Sequence, residues 1–407
     1  MKKPEILAPA GNLEKLKTAI DFGADAVYLG GNKLNLRAFA DNFSNEELAE
    51  GIKYAHDRGK KAYVALNVFP HNEDLNGLEE YLTELYNLKV DAAIVADPGI
   101  IMTAREVVPD LELHLSTQAN NVNHRSAMFW YKQGIKRIVL ARELSMKEVI
   151  DMRKALPLDL EIEAFVHGSM CMAYSGRCLL SNFLTGRDAN RGACAQPCRY
   201  KYYLTEEKRP GEKYEILEDD KGSYIMNSKD LCMIEYIPEL VAAGVQSFKI
   251  EGRMKSSFYV AVVTKVYREA LDAFWEDPQN YSFNKKWLED LDKVSHRQYY
   301  TGFYFGDQNK QVYENSSYIR NYDIVGIVRN YDPEKEIATI EQRNKVFEGD
   351  VAEVLRPVGG DFKVKFEDIR DLEGKKLEAT PVAQMLYTFK CEEKLYENDM
   401  LIMKKVD

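Results

Sequence analysis

No uninterrupted apolar run in the 407 residues approaches the roughly 18 needed to cross a bilayer, so no membrane-spanning segment is expected. A secretory leader is missing too: Lys2-Lys3-Pro4 runs into Glu5-Ile6-Leu7-Ala8-Pro9, too short and too soon broken by proline for an apolar leader core. A cytoplasmic protein is therefore expected. Positive charge is in short supply, with 55 Lys and Arg against 65 Asp and Glu, a formal charge of −10. Any nucleic-acid surface must then be a local patch in an acidic average. Several catalytic signatures are absent: the G-x-G-x-x-G phosphate fingerprint, the H-E-x-x-H zinc helix and the G-x-S-x-G nucleophile elbow. Of six histidines, His56, His71, His114, His124 and His296 show no metal-like pairing. What is present is ordinary globular composition, 45% hydrophobic and 29% charged, which excludes collagen-like, disordered and disulfide-scaffold chains.

The first 170 residues alternate short apolar runs with amphipathic stretches, the pattern of repeated βα units. Strands are expected at Glu5-Ala10, Ala26-Gly30, Lys61-Asn67, Ala92-Ala96, Glu112-Thr117, Arg137-Ala141 and Glu161-His167, and an eighth at Ser247-Ile250. Asn12, Ser44 and Ser145 stand where helix N-caps belong. Helices are expected at Leu231-Ala243 and Ser257-Trp275. Eight such units predict an α/β fold of the (β/α)8, TIM-like barrel type over 1–275. Between strands seven and eight, residues 171–230 break the repeat as a cysteine-rich insertion on the barrel's C-terminal face, where barrel enzymes build active sites. Residues 276–320 read as a connector. From 321 to 407, short alternating runs such as Ile324-Val328, Glu336-Ile340, Val351-Leu355 and Met400-Met403 predict a small all-β, barrel-like domain.

Five of the six cysteines, Cys171, Cys178, Cys194, Cys198 and Cys232, fall in one 62-residue stretch. In a reducing compartment such clustering favours a metal or redox site over structural disulfides. Four thiolates on loops suit an iron–sulfur cluster or a tetrahedral zinc. Paired C-x2-C knuckles are missing, which fits a cluster better than a zinc ribbon, although spacing alone does not choose the metal. Some of these thiols could equally be packing residues, and Cys391, far away in the β domain, is read as one.

The blocks around these cysteines carry a family likeness. Glu163-Ala164-Phe165-Val166-His167-Gly168-Ser169-Met170-Cys171, with Ser175-Gly176-Arg177-Cys178, resembles the signature of peptidase family U32. Gly192-Ala193-Cys194-Ala195-Gln196-Pro197-Cys198-Arg199, Asn227-Ser228-Lys229-Asp230-Leu231-Cys232, Phe248-Lys249-Ile250-Glu251-Gly252-Arg253, Ala8-Pro9-Ala10-Gly11 and Leu36-Arg37 resemble further family blocks. Length and the added β domain are similar to the branch that hydroxylates the wobble uridine of tRNA at carbon 5 without molecular oxygen. That resemblance implies a 4Fe-4S cluster on Cys171, Cys178, Cys194 and Cys232, with Cys198 competing for the place of Cys194. It also implies prephenate as the hydroxyl source, tRNA as partner, and dependence on the iron–sulfur assembly machinery. The family's name implies a collagenase-like peptidase as the alternative, and the residues themselves allow a cysteine protease in which Cys171 and His167 meet in space as nucleophile and base. A zinc-stabilised RNA-binding module is a third reading.

Other candidates follow from position. Glu163 is expected two pleats before His167 on the same face of strand seven, either as an acid–base pair or as interior groups orienting each other. Gln118 after strand five, with Lys249, Glu251 and Arg253 at the end of strand eight, occupies the ligand face, joined by Arg37 and Arg177. Arginine there suits a small carboxylate, because its planar fork makes two parallel bonds, and a structural charge network on the rim is the plainer alternative. For RNA, residues 185–203 hold Arg187, Arg191, Arg199 and Lys201 against Asp188 alone, interleaved with Tyr200, Tyr202 and Tyr203. The β domain, with fourteen basic and nineteen acidic residues from Asn321, offers no such patch.

Overall fold

The structure is a computed structural model that describes residues 2–31, 33–34, 42–171, 178–199, 203–206, 209–215, 227–306, 311–312 and 319–405. Eight short strands made of β-branched, aromatic and small residues line up in parallel: β1 Glu5–Pro9, β2 Ala26–Leu29, β3 Lys61–Leu66, β4 Ala92–Val95, β5 Leu113–Leu115, β6 Arg137–Val139, β7 Glu161–Ser169 and β8 Ser247–Ile250. Each pairs with its predecessor through β7, and β8 pairs with both β1 and β7, so the sheet closes on itself. The TIM-like barrel expected from the repeat is the observed fold.

Capping follows the residues that announce it. Asn12 accepts from the Lys15 amide at the start of helix Leu13–Asp21. Ser44 and Glu47 form a capping box on helix Asn45–His56, and Ser145 and Glu148 another on helix Met146–Ala155. Outward strand residues such as Ile6, Ala8, Val27 and Val64 bury against these helices in one large core, whereas Leu7, Ala26, Tyr28, Tyr63, Ala92 and Ile94 form a separate small cluster. Alternation along β1 and β2 identifies that cluster as the barrel interior.

Two departures from the sequence reading matter for the site. The helix expected over Leu231–Ala243 begins only at Ile237; Asp230–Cys232 is instead a strand, antiparallel to the end of β7. Pro238 lies in the first turn of the shortened helix, where its missing amide is harmless. β7 runs on to Ser169, and that extra length gives Asp230–Cys232 an edge to join. The stretch 276–320 also holds structure of its own. Helix Lys286–Leu291 buries Trp287 and Leu291, and strand Tyr299–Tyr300 pairs with Asp230–Leu231.

The C-terminal region forms a seven-stranded antiparallel sheet in the order Phe362–Lys365, Val351–Leu355, Met400–Lys404, Tyr322–Asp332, Ile337–Gln342, Leu386–Lys390 and Glu367–Asp371. Its core centres on Val328, Phe366, Tyr387 and Phe389. It docks on the barrel through Lys265–Asp361 at 2.8 Å, Lys293–Glu353 at 2.9 Å and Arg343–Glu14 at 2.9 Å, while Leu355, Met400 and Ile402 share the barrel's core. Cys391 is buried in this sheet's own core, as expected of a packing thiol. Among the described residues no helix is long and apolar enough to cross a membrane.

One backbone position holds the mouth of the barrel together. Gly168 on β7 has φ +108°, and a Cβ there would stand 2.6 Å from the Glu251 carbonyl oxygen. Gly168→Ala should therefore cost about 2 kcal/mol or more, read as a lowered denaturation midpoint with unchanged m. A neutral substitution would show that the strand end can shift freely.

Candidate active site at the mouth of the barrel

A pocket with about 600 Å³ of empty space, its open mouth included, lies at the C-terminal ends of the strands. Tyr28 of β2, Asn67 after β3, Gln118 after β5, Arg142 after β6, Phe165 of β7 and Lys249 of β8 line it, with Glu251 and Arg253 just beyond β8. The fold puts its ligand-facing groups here because each barrel strand points its carboxyl end at this face. Lys249 and Arg253 are nearly inaccessible to solvent, at 5% and 4%. Arg253 donates to the Asn42 side chain at 3.1 Å. Its backbone carbonyl lies so close to Gly11 that no Cβ fits, which ties the first βα loop to the last. Sequence reading placed Gln118, Lys249, Glu251 and Arg253 at this face, and the structure brings all four to one pocket.

Below the pocket a column of charge fills one side of the barrel interior. Lys249 Nζ stands 2.7 Å from one carboxylate oxygen of Glu163, and Arg137 donates to the other at 3.2 Å. The same guanidinium reaches Glu5 at 2.7 Å and Glu161 at 2.6 Å, and Tyr63 donates to Glu5 at 2.7 Å. Burial pushes the Glu163 carboxyl up, but Lys249, Arg137 and His114 outweigh it and hold it below the ordinary carboxylate range. Glu163 is thus a fixed anion whose two oxygens are both engaged. His114 bonds Glu112 at 2.8 Å, the local hydrogen bond its position suggests.

The expectation that Glu163 and His167 share a face fails, and a bulge is the reason. β7 pairs Phe165 with Lys249 and then His167 with Ile250, leaving Val166 extra. One inserted residue inverts the alternation, so Glu163 and Phe165 face the interior while His167 turns the other way. His167 packs against Tyr259 and Tyr267 of helix Ser257–Glu276 and against Tyr299. Burial there, reinforced by His296 and Lys255, pushes its pKa down to about 3, so the imidazole is neutral at physiological pH. Among the described residues no histidine lines the pocket.

The thiols divide in the same way. Cys232 lies opposite His167 in the strand register, buried and in hydrogen-bonding contact with Tyr267, and burial pushes its pKa up to about 12. Cys171 is exposed at the other end, with its sulfur 3.4 Å from Arg142. Cys178, Cys194 and Cys198 are half-buried in the insertion. Their soft sulfurs suit iron or zinc. As arranged they do not fit a formed centre: among the described residues no three Cys, His, Asp or Glu side chains gather closely enough to hold a metal.

The basic stretch is also reassigned in part. Arg191 bonds Asp74 at 2.8 Å and 3.0 Å, so its charge is spent pinning the insertion to the loop after β3. Arg187 is exposed and donates to the Ala193 carbonyl at 3.0 Å. Arg37, Arg177, Lys201 and the side chain of Arg199 lie outside the described residues. Arg142 was missed by sequence reading, yet it holds the Ser169 carbonyl at 3.0 Å and stacks 4.9 Å over Phe165. The signal that marked Arg253, a cation just past a strand's carboxyl end, marks Arg142 as well.

Comparison with known proteins agrees over most of the length. Residues 11–314 match the family described as Peptidase family U32, and residues 320–401 match the Peptidase family U32 C-terminal domain. The Bacillus subtilis "tRNA hydroxylation protein P1" is 46% identical across 98% of this chain and 94% of its own length. The Escherichia coli "tRNA hydroxylation protein P" is 38% identical across 94% and 92%. A Porphyromonas gingivalis protein named "Collagenase" is 34% identical across 90% and 90%.

The column sets a stability test. Glu163→Ala leaves two buried cations short of a partner and should cost about 3–5 kcal/mol. Because the folded-state carboxyl is held low, its stabilising contribution is complete above about pH 5 and is lost as pH falls through the folded value. The stability gap between wild type and Glu163→Gln should therefore narrow between about pH 7 and about pH 3 in denaturant titrations. A gap independent of pH would contradict an ionised Glu163.

Proposed function

The chain belongs to peptidase family U32, and on that premise we propose that it acts in the hydroxylation of tRNA. The observation that carries this reading is the pocket itself: three cationic side chains, Arg142, Lys249 and Arg253, with the single carboxylate of Glu251, around a cleft of mixed lining that holds no histidine among the described residues. That is a binding site for a small anion at the working face of a barrel. A cysteine- or serine-type peptidase would pair its nucleophile with an adjacent histidine base, and among the described residues no histidine lines this cleft. His167, the base such a reading would use, is walled off behind β7. The names of two relatives that span nearly the whole chain support the same direction.

The finer reading rests on the residue blocks of the sequence. Carbon 5 of the wobble uridine is the target, and prephenate supplies the hydroxyl group in place of molecular oxygen. Lys249, Arg253 and Arg142 would hold its carboxylates, Gln118 and Asn67 would meet its polar groups, and Phe165 and Tyr28 would flank it. A 4Fe-4S cluster would take Cys171, Cys178, Cys232 and either Cys194 or Cys198, loaded by the iron–sulfur assembly machinery. Since Cys232 stands behind β7, this ligand set requires an arrangement other than the one described. Arg187, Arg199 and Lys201 are the cations left for tRNA phosphates once Arg191 is paired, and work on tRNA fits a cytoplasmic protein.

Nucleoside mass spectrometry of tRNA from a deletion strain tests the activity: loss of the 5-hydroxyuridine-type nucleoside, restored by the wild-type gene, is expected. Arg253→Ala should restore it poorly, because losing one charged hydrogen bond, ~1.5–3 kcal/mol, weakens ligand binding about ten-fold or more. Arg253→Lys should remain impaired, since a point charge does not reproduce the planar fork. Unchanged nucleosides in the deletion strain would sink the proposal. Independently, anaerobically isolated protein should be brown with about four irons per chain, and Cys171→Ala should remove the colour while Cys391→Ala keeps it. Colourless protein carrying stoichiometric zinc would favour the zinc module.

A further inference from the structure

The barrel interior is not uniformly polar. β1, β2 and β4 contribute Leu7, Ala26, Tyr28, Ala92 and Ile94, the filling that makes a barrel a packed core. Charge enters at Glu5 and is otherwise concentrated on β6, β7 and β8, as Arg137, Glu163 and Lys249. This sector lies below the side of the pocket where Arg142 and Arg253 approach. Burying ionised groups that apolar side chains could replace costs stability, so their confinement to one sector calls for a reason beyond filling space.

We propose that Lys249 forms the floor of an anion seat and that Glu163 is its positioning residue, anchored in turn by Arg137. The proposal rests on the reading of this pocket as a site for a small carboxylate, and not on the tRNA step. Glu163 is fully buried and cannot rotate without breaking an ion pair on each oxygen. Arg137 cannot yield either, because Glu161 holds its Nε and Nη2 and Glu5 shares the Nη1 that reaches Glu163. Lys249 Nζ is further confined by the Tyr28 ring at 4.6 Å and the Phe165 ring at 5.5 Å. An ammonium has three donors; among the described residues only Glu163 takes one, which leaves two for a bound carboxylate. A flexible lysine would lose side-chain entropy on binding, whereas this one is already fixed, which is the advantage of a preorganised site.

The arrangement has a pH signature. Glu163 of β7 and the Tyr28 ring of β2 face the ammonium directly; Arg137 and His114 stand behind Glu163, and Arg142, Glu251 and Arg253 stand at the rim. Removing the Glu163 charge strips a buried amine of its counter-ion, and such an amine sheds its proton at lower pH. Binding then fades as pH rises.

Calorimetric titration of the full chain with prephenate, and with phenylpyruvate as a plainer carboxylate, tests this without reading hydroxylation, so a failed tRNA assignment leaves the result intact. Wild-type affinity should change less than about three-fold between about pH 7 and about pH 9.5, while Glu163→Gln should lose about ten-fold or more over that range. The double variant Glu163→Gln/Lys249→Arg should regain a flat profile, because a guanidinium keeps its charge. If Glu163→Gln does not fold, Glu163→Asp, with its carboxylate one methylene short, should bind about three-fold or more weakly at every pH. A flat profile in Glu163→Gln, undiminished affinity in Glu163→Asp, or no binding of either carboxylate by wild type overturns the proposal.

Discussion

The carboxylate of Glu163, held between Lys249 and Arg137 in the barrel interior, is the interaction on which the working end of the molecule depends. Its two oxygens join β6, β7 and β8, the last three barrel strands in sequence, and so link the barrel's floor to its mouth. Such a column is costly to bury, because each ion forfeits its hydration, and it persists only where the geometry satisfies every partner. The carboxylates and Arg137 are satisfied in this way: Glu5 accepts from Arg137, Tyr63 and Ser247, and Glu161 takes two nitrogens of Arg137, while Lys249 keeps donors in hand. The apolar half of the interior supplies packing, and the charged half supplies a defined place for one ammonium.

The bulge at Val166 is the second constraint. Without it, His167 would project into the interior above Phe165 and fill part of the pocket. With it, the imidazole turns toward helix Ser257–Glu276, and the Val166 carbonyl accepts from Tyr267 at 2.7 Å and from the Met233 amide at 2.9 Å. Those two bonds satisfy a carbonyl that the irregular strand would otherwise orphan. The same local change seats Asp230–Cys232 beside β7 and places Cys232 on the helix side of the sheet. One extra residue in a strand therefore decides where a histidine, a cysteine and a short strand go.

This explains what the sequence discloses and what it withholds. The barrel is legible because eight apolar runs, with Asn12, Ser44 and Ser145 at helix starts, carry its periodicity locally. Lys249 and Arg253 are legible as ligand-facing residues because strand ends in a barrel have a fixed direction. A bulge has no such signature: the run Ala164-Phe165-Val166-His167 reads as regular alternation, and only its pairing with Lys249 and Ile250 exposes the insertion. Arg137 is equally silent, since a charged residue opening an apolar strand looks like a solvated end until three carboxylates from two strands surround it. The pairing of Arg191 with Asp74 joins residues far apart in the chain, which no local pattern encodes.

The placement of the thiols bears on how pocket and insertion work together. Cys171 follows β7 directly and touches Arg142, which also grips the Ser169 carbonyl and stacks on Phe165 of the pocket wall. Cys171 and the pocket wall thus share one arginine. The neighbouring insertion is itself tied down, by Arg191 on Asp74 and by the Phe69 amide on the Asn190 carbonyl. Asn190 in turn holds Cys178, accepting from its amide at 3.3 Å and donating to its carbonyl at 2.9 Å. Two thiols of the set are therefore mechanically connected to the barrel's rim, one through Arg142 and one through Asn190. Arg142 is thus shared by Cys171 and the pocket wall, whereas Asn190 reaches the rim through Phe69 and is not among the residues that line the pocket.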